Sequence, residues 1–414
     1  MTSPPTLPAR LVSAPWVFPI IIPALAEGAV VLDADDRIVA VGTRADLRRQ
    51  FPHIPEERGE GALLPGLVNA HTHLELSVLS GRVPGGAGLV PWAMQVGREG
   101  MRFQVEQKYD AAARAALAVP GFGTAAVGDV GNSLLAVSEI GSAELRGLFF
   151  HELLGSRDVA TGDALADAED ERQEFLGQED WPAGLGYVPA PHAPYSADPE
   201  LLRRIFAAAA AAGQPTTIHA AEDADEVRLL RDGTGRWAEI LARMGVPAGS
   251  RTPGSGPVAY LASLGAFAGP RPPLLVHMVH ASAEDVALTL QHGASVVLCP
   301  RSNLHIGGQL ADVPALLAAG VRLALGTDSL ASAPDLSLWG EMAVLAQRFA
   351  HIAPETWLDA ATRGGARALG LDHLGTLAPG QRPGLIDVQP ADAGEPGAAL
   401  VRNPQPRVRW LARA

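Results

Sequence analysis

The stretch LLPGLVNAHTHLELS, residues 63–77, is an apolar strand-like run that ends in His71 and His73. Side chains in a strand alternate faces, so two histidines separated by one residue point the same way, one pleat apart. The design recurs three times further along. PTTIHAAE (215–222) ends its apolar run at His219, PLLVHMVH (273–280) at His277, and VRLALGTDS (321–329) at Asp328. One such run is unremarkable. Four in order, ending in three His-bearing sites and a carboxylate, describe a divalent-metal hydrolase on a parallel barrel, which gathers the C-terminal ends of distant strands around one point.

Working outward, eight candidate strands end near Ala70, Asp129, His151, Pro191, His219, His277, Cys299 and Thr327. Helical runs separate many of them: YDAAARAALAVP, PELLRRIFAAAAAAG, SAEDVALTLQHG and DVPALLAAG, several stopping at the glycine expected of a helix C-cap. Eight such units over this length predict an α/β chain folded as a (β/α)8 barrel of the TIM type. The first sixty residues alternate as strands do, with a hairpin turn expected around Asp35–Asp36, and the last forty are β-like and rich in Pro and Gly. The expected division is 1–61 and 375–414 as the two parts of a small β-domain, with the metal-dependent barrel at 62–374. The stretch from Arg231 to Pro273 is long for one connection and is expected to include an active-site loop.

With 414 residues the chain is long enough for one large domain and a small one. A net charge of −13 leaves no basic surface for a nucleic-acid polymer and suits a small-molecule substrate. Cys299 is the only cysteine, which rules out an intrachain disulfide and fits a reducing cytoplasm. The segment 11–28 imitates a signal peptide at Ala24-Leu25-Ala26, yet Pro15, Pro19 and Pro23 interrupt it and it runs straight into the hairpin. It is too short to span a bilayer, so no membrane partner is expected. A homodimer is left open.

At these residues the chain resembles the amidohydrolase superfamily. It is most similar to the aminohydrolase branch, which includes cytosine, guanine, S-adenosylhomocysteine and aminofutalosine deaminases and triazine chlorohydrolases. The likeness runs from GAVVLDADDRIVAVG through PGLVNAHTHLELS, GTAAVGDVGN, PHAPYS, IHAAED, VHMVH, CPRSN and GTDSLAS to LGTLAPGQ. HTHLELS with CPRSN and GTDSLAS is most like the aminofutalosine-deaminase-like members. The resemblance implies a β-sandwich made by both termini beside the barrel. It implies that His71, His73, His219 and Asp328 hold one metal, Zn²⁺ first and Fe²⁺ second, a choice that imidazoles and a carboxylate suit. It implies that His277 orients the attacking water, that Asp328 takes its proton, that Glu222 is the acid/base group and that His192 binds substrate. The activity implied is hydrolytic deamination of an amino-substituted heterocycle or nucleoside. An amide hydrolase or chlorohydrolase using the same metal hydroxide, and a non-catalytic metal-binding homologue, are the alternatives.

Departures from the family pattern matter at three places, one being RPGLIDV (382–388), which replaces the usual Ala-Asp-Leu in the terminal β-domain and should affect stability rather than chemistry. Binuclear relatives bridge their metals with a carboxylated lysine at the end of strand four, but this chain's single lysine, Lys108, lies in a helical stretch, so one metal is expected. Glu152 is the one candidate for a substitute bridge. Some nucleoside-acting relatives carry an acid before the tryptophan after strand one, and Val90-Pro91-Trp92 has none. Of the remaining candidates, Trp92 either stacks on substrate or packs in the core. Glu75 contacts substrate or starts a helix. Arg301 and Asn303, with Ser302 between them, face the substrate or serve turn and cap chemistry. His277 and His280 fall on opposite faces of an extended strand, and His277 is the one expected to face the metal.

Overall fold

A computed structural model describes residues 7–155, 163–389 and 395–414; residues 1–6 and 390–394 of the expected terminal segments lie outside these. Five strands open the chain: β1 (Pro8–Val17), β2 (Leu25–Asp33), β3 (Ile38–Thr43), β4 (Glu56–Arg58) and β5 (Ala62–Pro65). Eight parallel strands follow: β6 (Leu67–Thr72), β7 (Thr124–Gly131), β8 (Arg146–Leu153), β9 (Leu185–Pro191), β10 (Thr217–Ala220), β11 (Leu274–His277), β12 (Ser295–Leu298) and β13 (Arg322–Leu325). The chain closes with β14 (Leu385–Gln389) and β15 (Arg407–Ala412).

Both termini build one seven-stranded sheet in the order β15-β14-β5-β1-β2-β3, with β4 pairing β1. The hairpin expected at Asp35–Asp36 is there. β2 and β3 pair antiparallel, and Asp33 Oδ1 accepts the N–H groups of Asp35 and Arg37 at 2.9 and 2.8 Å. Asp36 takes a φ of 61°, which a short polar side chain tolerates. The signal-like segment 11–28 is spent on β1 and β2, the longest pairing in the sheet. The sheet also takes in β5, past the boundary drawn at residue 61, because Leu63 and Leu64 pair with β14.

The parallel strands form two sheets, β6-β7-β8-β9 and β10-β11-β12-β13. Their edges meet at two seams. At one, Thr72 bridges Asp328, and the N–H groups of Thr327 and Asp328 donate to His71 O. At the other, the His219 N–H donates to His192 O at 2.9 Å and the Thr216 hydroxyl to Pro189 O at 3.0 Å. Every residue of β6, β7, β11 and β12 is buried, as strands covered on both faces must be. Helices Val105–Ala118, Pro199–Ala212, Ala283–Gln291 and Val313–Ala319 lie between strands where the apolar periodicity put them. Gly213 and Gly320 close two of them in the left-handed conformation, and Ser282 opens a third through a capping box. The stretch 231–273 contains the helices Arg236–Arg243 and Pro257–Ser263, joined and flanked by turns and irregular chain.

Candidate metal centre

β6, β10, β11 and β13 bring their C-terminal ends to one place. His71 and His219 approach with Nε2 atoms 3.2 Å apart, and His73 Nε2 lies 3.4 Å from His219 Nε2 and 3.9 Å from Asp328 Oδ1. His71, His73 and Asp328 offer ligand atoms within 4.8 Å of one another, as do His71, His219 and His277. All of these side chains are buried. Burial holds the pKa of His71 and His219 well below the ordinary imidazole value, so both rings are neutral. The His219 Nδ1–H donates to His192 O at 3.0 Å, which leaves its Nε2 with a lone pair aimed at His71. His71 Nδ1 is buried with no hydrogen-bond partner among the described residues. Lone pairs of neutral imidazoles gathered this closely beside a carboxylate repel unless a cation lies among them. The donor set of nitrogen plus carboxylate oxygen therefore fits a divalent metal.

The strand ends that carry these groups are bent out of ordinary conformations. Ala221, His277, Met278 and Asp328 all have positive φ, at 49, 76, 52 and 55°, though none is glycine. Backbone in this region costs energy and persists where the surroundings over-determine it, typically at functional sites. Around Asp328 the determinants are visible. Its carbonyl accepts the Thr72 hydroxyl at 3.0 Å and the His73 N–H at 3.3 Å.

Glu222 and His277 stand beside the cluster. His277 Nε2 is 3.5 Å from Glu222 Oε1. His277 Nδ1 accepts from Asn303 Nδ2 at 2.9 Å, which puts the proton of the neutral ring on Nε2, facing Glu222. Burial keeps the His277 pKa down at about 4. Burial, and then Asp328, push the Glu222 carboxyl well above the usual carboxylate range, which favours its protonated form. His280, three residues on, is half-buried and gives its backbone N–H to Ala221 O at 2.7 Å.

The remaining candidates divide. His192 packs its ring 4.9 Å from that of His219 and hydrogen-bonds Ser196 Oγ through Nδ1 at 2.8 Å, so it belongs to the site wall. Glu152 Oε1 is 3.9 Å from His219 Nδ1, its Oε2 accepts from Asn132 Nδ2 at 3.0 Å, and burial raises its pKa to about 7. The structure does not bring Arg301 to the cluster. Its guanidinium is taken up by Glu341, Asp335 and the carbonyls of Asp335 and Ser337. Asn303 reaches the site by holding His277, and Ser302 by donating to Asp328 Oδ2. Trp92 is buried in an apolar cluster with Leu79, Val83, Leu89, Ile306 and Ala331, the core-packing alternative. Glu75 accepts the N–H groups of Asn132 and Ser133, at 2.9 and 3.2 Å, and so ties two loops together.

One positioning residue escaped the sequence reading. Asn69 donates to Thr327 Oγ1 at 2.8 Å and accepts from the N–H of Thr327 at 3.2 Å, locking the β6–β13 seam below the ligands. A lone amide in an otherwise apolar strand was the available signal, since a buried amide must be satisfied.

A model described as the amidohydrolase family matches residues 62–406, and one described as the bacterial imidazolonepropionase-like composite domain matches residues 28–53. The aminodeoxyfutalosine deaminase of Deinococcus radiodurans is 32% identical over 360 residues, covering 84% of this chain and 82% of that protein. Helicobacter pylori aminofutalosine deaminase, solved with methylthio-coformycin, superimposes with a TM-score of 0.82 at 23% identity, covering 95% of each chain. An adenosine deaminase from Xanthomonas campestris with bound zinc superimposes with a TM-score of 0.73 at 29% identity, covering 93% of this chain and 85% of that one.

Proposed function

The chain belongs to the amidohydrolase family, and from that premise we propose that it is a metal-dependent hydrolase that deaminates a nucleoside carrying an amino-substituted heterocycle, of the aminofutalosine kind. The observation that carries the reading is the convergence of His71, His73, His219 and Asp328 next to a Glu222–His277 pair. Those four side chains are assigned as the ligands of one metal ion, zinc before iron, in line with the zinc-bound relative. We also read the eight parallel strands, joined at both seams, as one (β/α)8 barrel, with the terminal sheet as a separate small domain.

His71, His73, His219 and Asp328 would hold a divalent ion, which when bound would supply hydroxide from water near neutral pH. The protein's own groups supply the rest. Asp328 accepts the proton of the attacking water. His277, its tautomer set by Asn303, presents an Nε2–H donor to the charge that develops on oxygen. Protonated Glu222 gives its proton to a ring nitrogen of the substrate, making the amino-bearing carbon electrophilic. Asp328 then passes the water proton to the amine, ammonia leaves, and the proton of the remaining hydroxyl returns to Glu222 as the carbonyl forms, so the balance is one water consumed per ammonia released. His192, with its ring packed against that of His219, is assigned to grip the base.

The test is ammonia release from a panel of aminopurine nucleosides, pterins and triazines, with bound metal counted on the same preparation. We expect ammonia and one metal per chain. Release of chloride or a carboxylic acid in its place would transfer the reading to a different leaving group. Undiminished turnover in Glu222→Gln or Asp328→Asn would overturn the mechanism.

A further inference from the structure

Glu226 lies in the first turn of the helix Ala224–Asp232 and is completely buried. No cation pairs with it among the described residues. Its Oε1 accepts the N–H of Ala221 at 2.8 Å and its Oε2 accepts the N–H of Glu222 at 2.9 Å. An acid at this place in a helix ordinarily completes a capping box by bonding the N–H of the cap residue, here Asp223. Glu226 does more, because its two short bonds go further back, into the turn that carries Glu222. That turn needs holding. Ala221 has a φ of 49°, in the left-handed region that alanine avoids. On its other side the turn is held by the segment that follows β11, through the His280 N–H to Ala221 O and the Met278 N–H to Ala220 O. Burial pushes the Glu226 pKa up to about 8, against the pull of the Ala221 and Glu222 N–H groups, which favour the ionised form. A carboxyl kept under such cover, with both of its oxygens accepting backbone N–H groups, is retained for what it holds.

We propose that Glu226 is a positioning residue for the acid/base step: by clamping the backbone N–H groups of Ala221 and Glu222 it fixes where the Glu222 carboxyl stands relative to His277. The proposal deepens the deaminase reading and rests on it. The Glu226 side chain touches no reacting atom and acts only through Glu222.

The test uses the full-length, metal-loaded protein and the variant Glu226→Gln. Glutamine serves well in a capping box, so the helix cap survives, but its amide group turns an N–H toward one of the two backbone donors. We expect kcat for ammonia release to fall about 10- to 100-fold, the scale of misplacing a catalytic group by an ångström, with KM and metal content unchanged. We also expect amide exchange to quicken at residues 221 and 222 and not along the helix. In the Glu222→Gln background the second substitution should cost nothing more, since residues acting as one unit are not additive. A folded Glu226→Gln protein with wild-type kcat, or a double variant slowed by the full product of the two effects, would overturn the proposal. If Glu226→Gln does not fold, Glu226→Asp, which keeps the carboxyl but withdraws it by one methylene, is read the same way. If the wild type releases no ammonia from any panel member, the deaminase reading fails, while the exchange measurement still decides whether Glu226 holds the turn.

Discussion

Replacing Arg301 with methionine should destabilise the protein and leave its handling of substrate alone. The side chain is 11% exposed and its guanidinium makes four hydrogen bonds among the described residues: Nε to Glu341 at 2.6 Å, Nη1 to Asp335 at 2.7 Å, and Nη2 to the carbonyls of Asp335 and Ser337 at 2.9 Å each. Glu341 is wholly buried, and among the described residues the only other donor to it is the Arg301 N–H at 2.9 Å. Methionine keeps the apolar stem and removes every donor, so a buried carboxylate loses its counter-charge. Breaking one partner of such a pair costs about 3–5 kcal/mol. Unfolding entropy of about 2.1 cal/mol/K per residue gives about 0.9 kcal/mol/K for a chain of 414 residues, and hence a fall in Tm of about 3–6 °C. The assay is calorimetry of the metal-loaded variant beside its KM. Adding Glu341→Gln should return at least half of the loss, because the stranded charge goes with it. Gly340 supplies an independent check, since a Cβ there would collide with Nη1, and Gly340→Ala should lower Tm in the same way. A KM raised tenfold or more with Tm unchanged would refute the reasoning and restore Arg301 to the substrate.

Asn303→Ala removes the donor that holds His277 Nδ1, so the ring is free to change tautomer. Loss of an orienting partner of this kind typically costs 10- to 100-fold, and we expect that loss in kcat with metal content intact; unchanged kcat would count against the role given to His277. In the terminal domain, hydrogen bonds from Arg44 first, then Arg48 and Ser13, hold the Glu56 pKa down at about 2 against an ordinary 4.5. A depressed carboxyl contributes stability that is complete above pH 4.5 and is lost as pH falls through about 2. With Arg44 44% exposed, solvent screening reduces the contribution to about 1 kcal/mol. Glu56→Gln should therefore be less stable than wild type in denaturant melts at pH 7 and equal to it near pH 2, and a gap that does not close would refute the assignment.

The three residues Arg301, Ser302 and Asn303 show why the ligands could be read from the sequence and their supports could not. Each of the eight strands expected from apolar runs ends within two residues of its place, from Thr72 against Ala70 to Leu325 against Thr327. A run of Val, Leu and Ala buried on both faces is dictated by composition, and a metal dictates imidazole and carboxylate at its end. The support shell obeys no such dictation. Residues 301–303 look like one motif in the chain, but the helix Pro300–Ile306 turns about 100° per residue. One side chain therefore goes to Glu341, the next to Asp328 and the third to His277. Glu226, four residues past Glu222, reads in the sequence as a helix-start acid, and only the left-handed turn at Ala221 lets it reach back beyond the cap. No glycine marks that turn, or the ones at His277 and Asp328, so the strained geometry left no trace in residue identity. A hydrogen-bond partner can be supplied by almost any polar side chain from any neighbouring element. What selects it is three-dimensional proximity, which is why the shell that aims Glu222, His277 and Asp328 becomes visible only once β10, β11 and β13 are side by side.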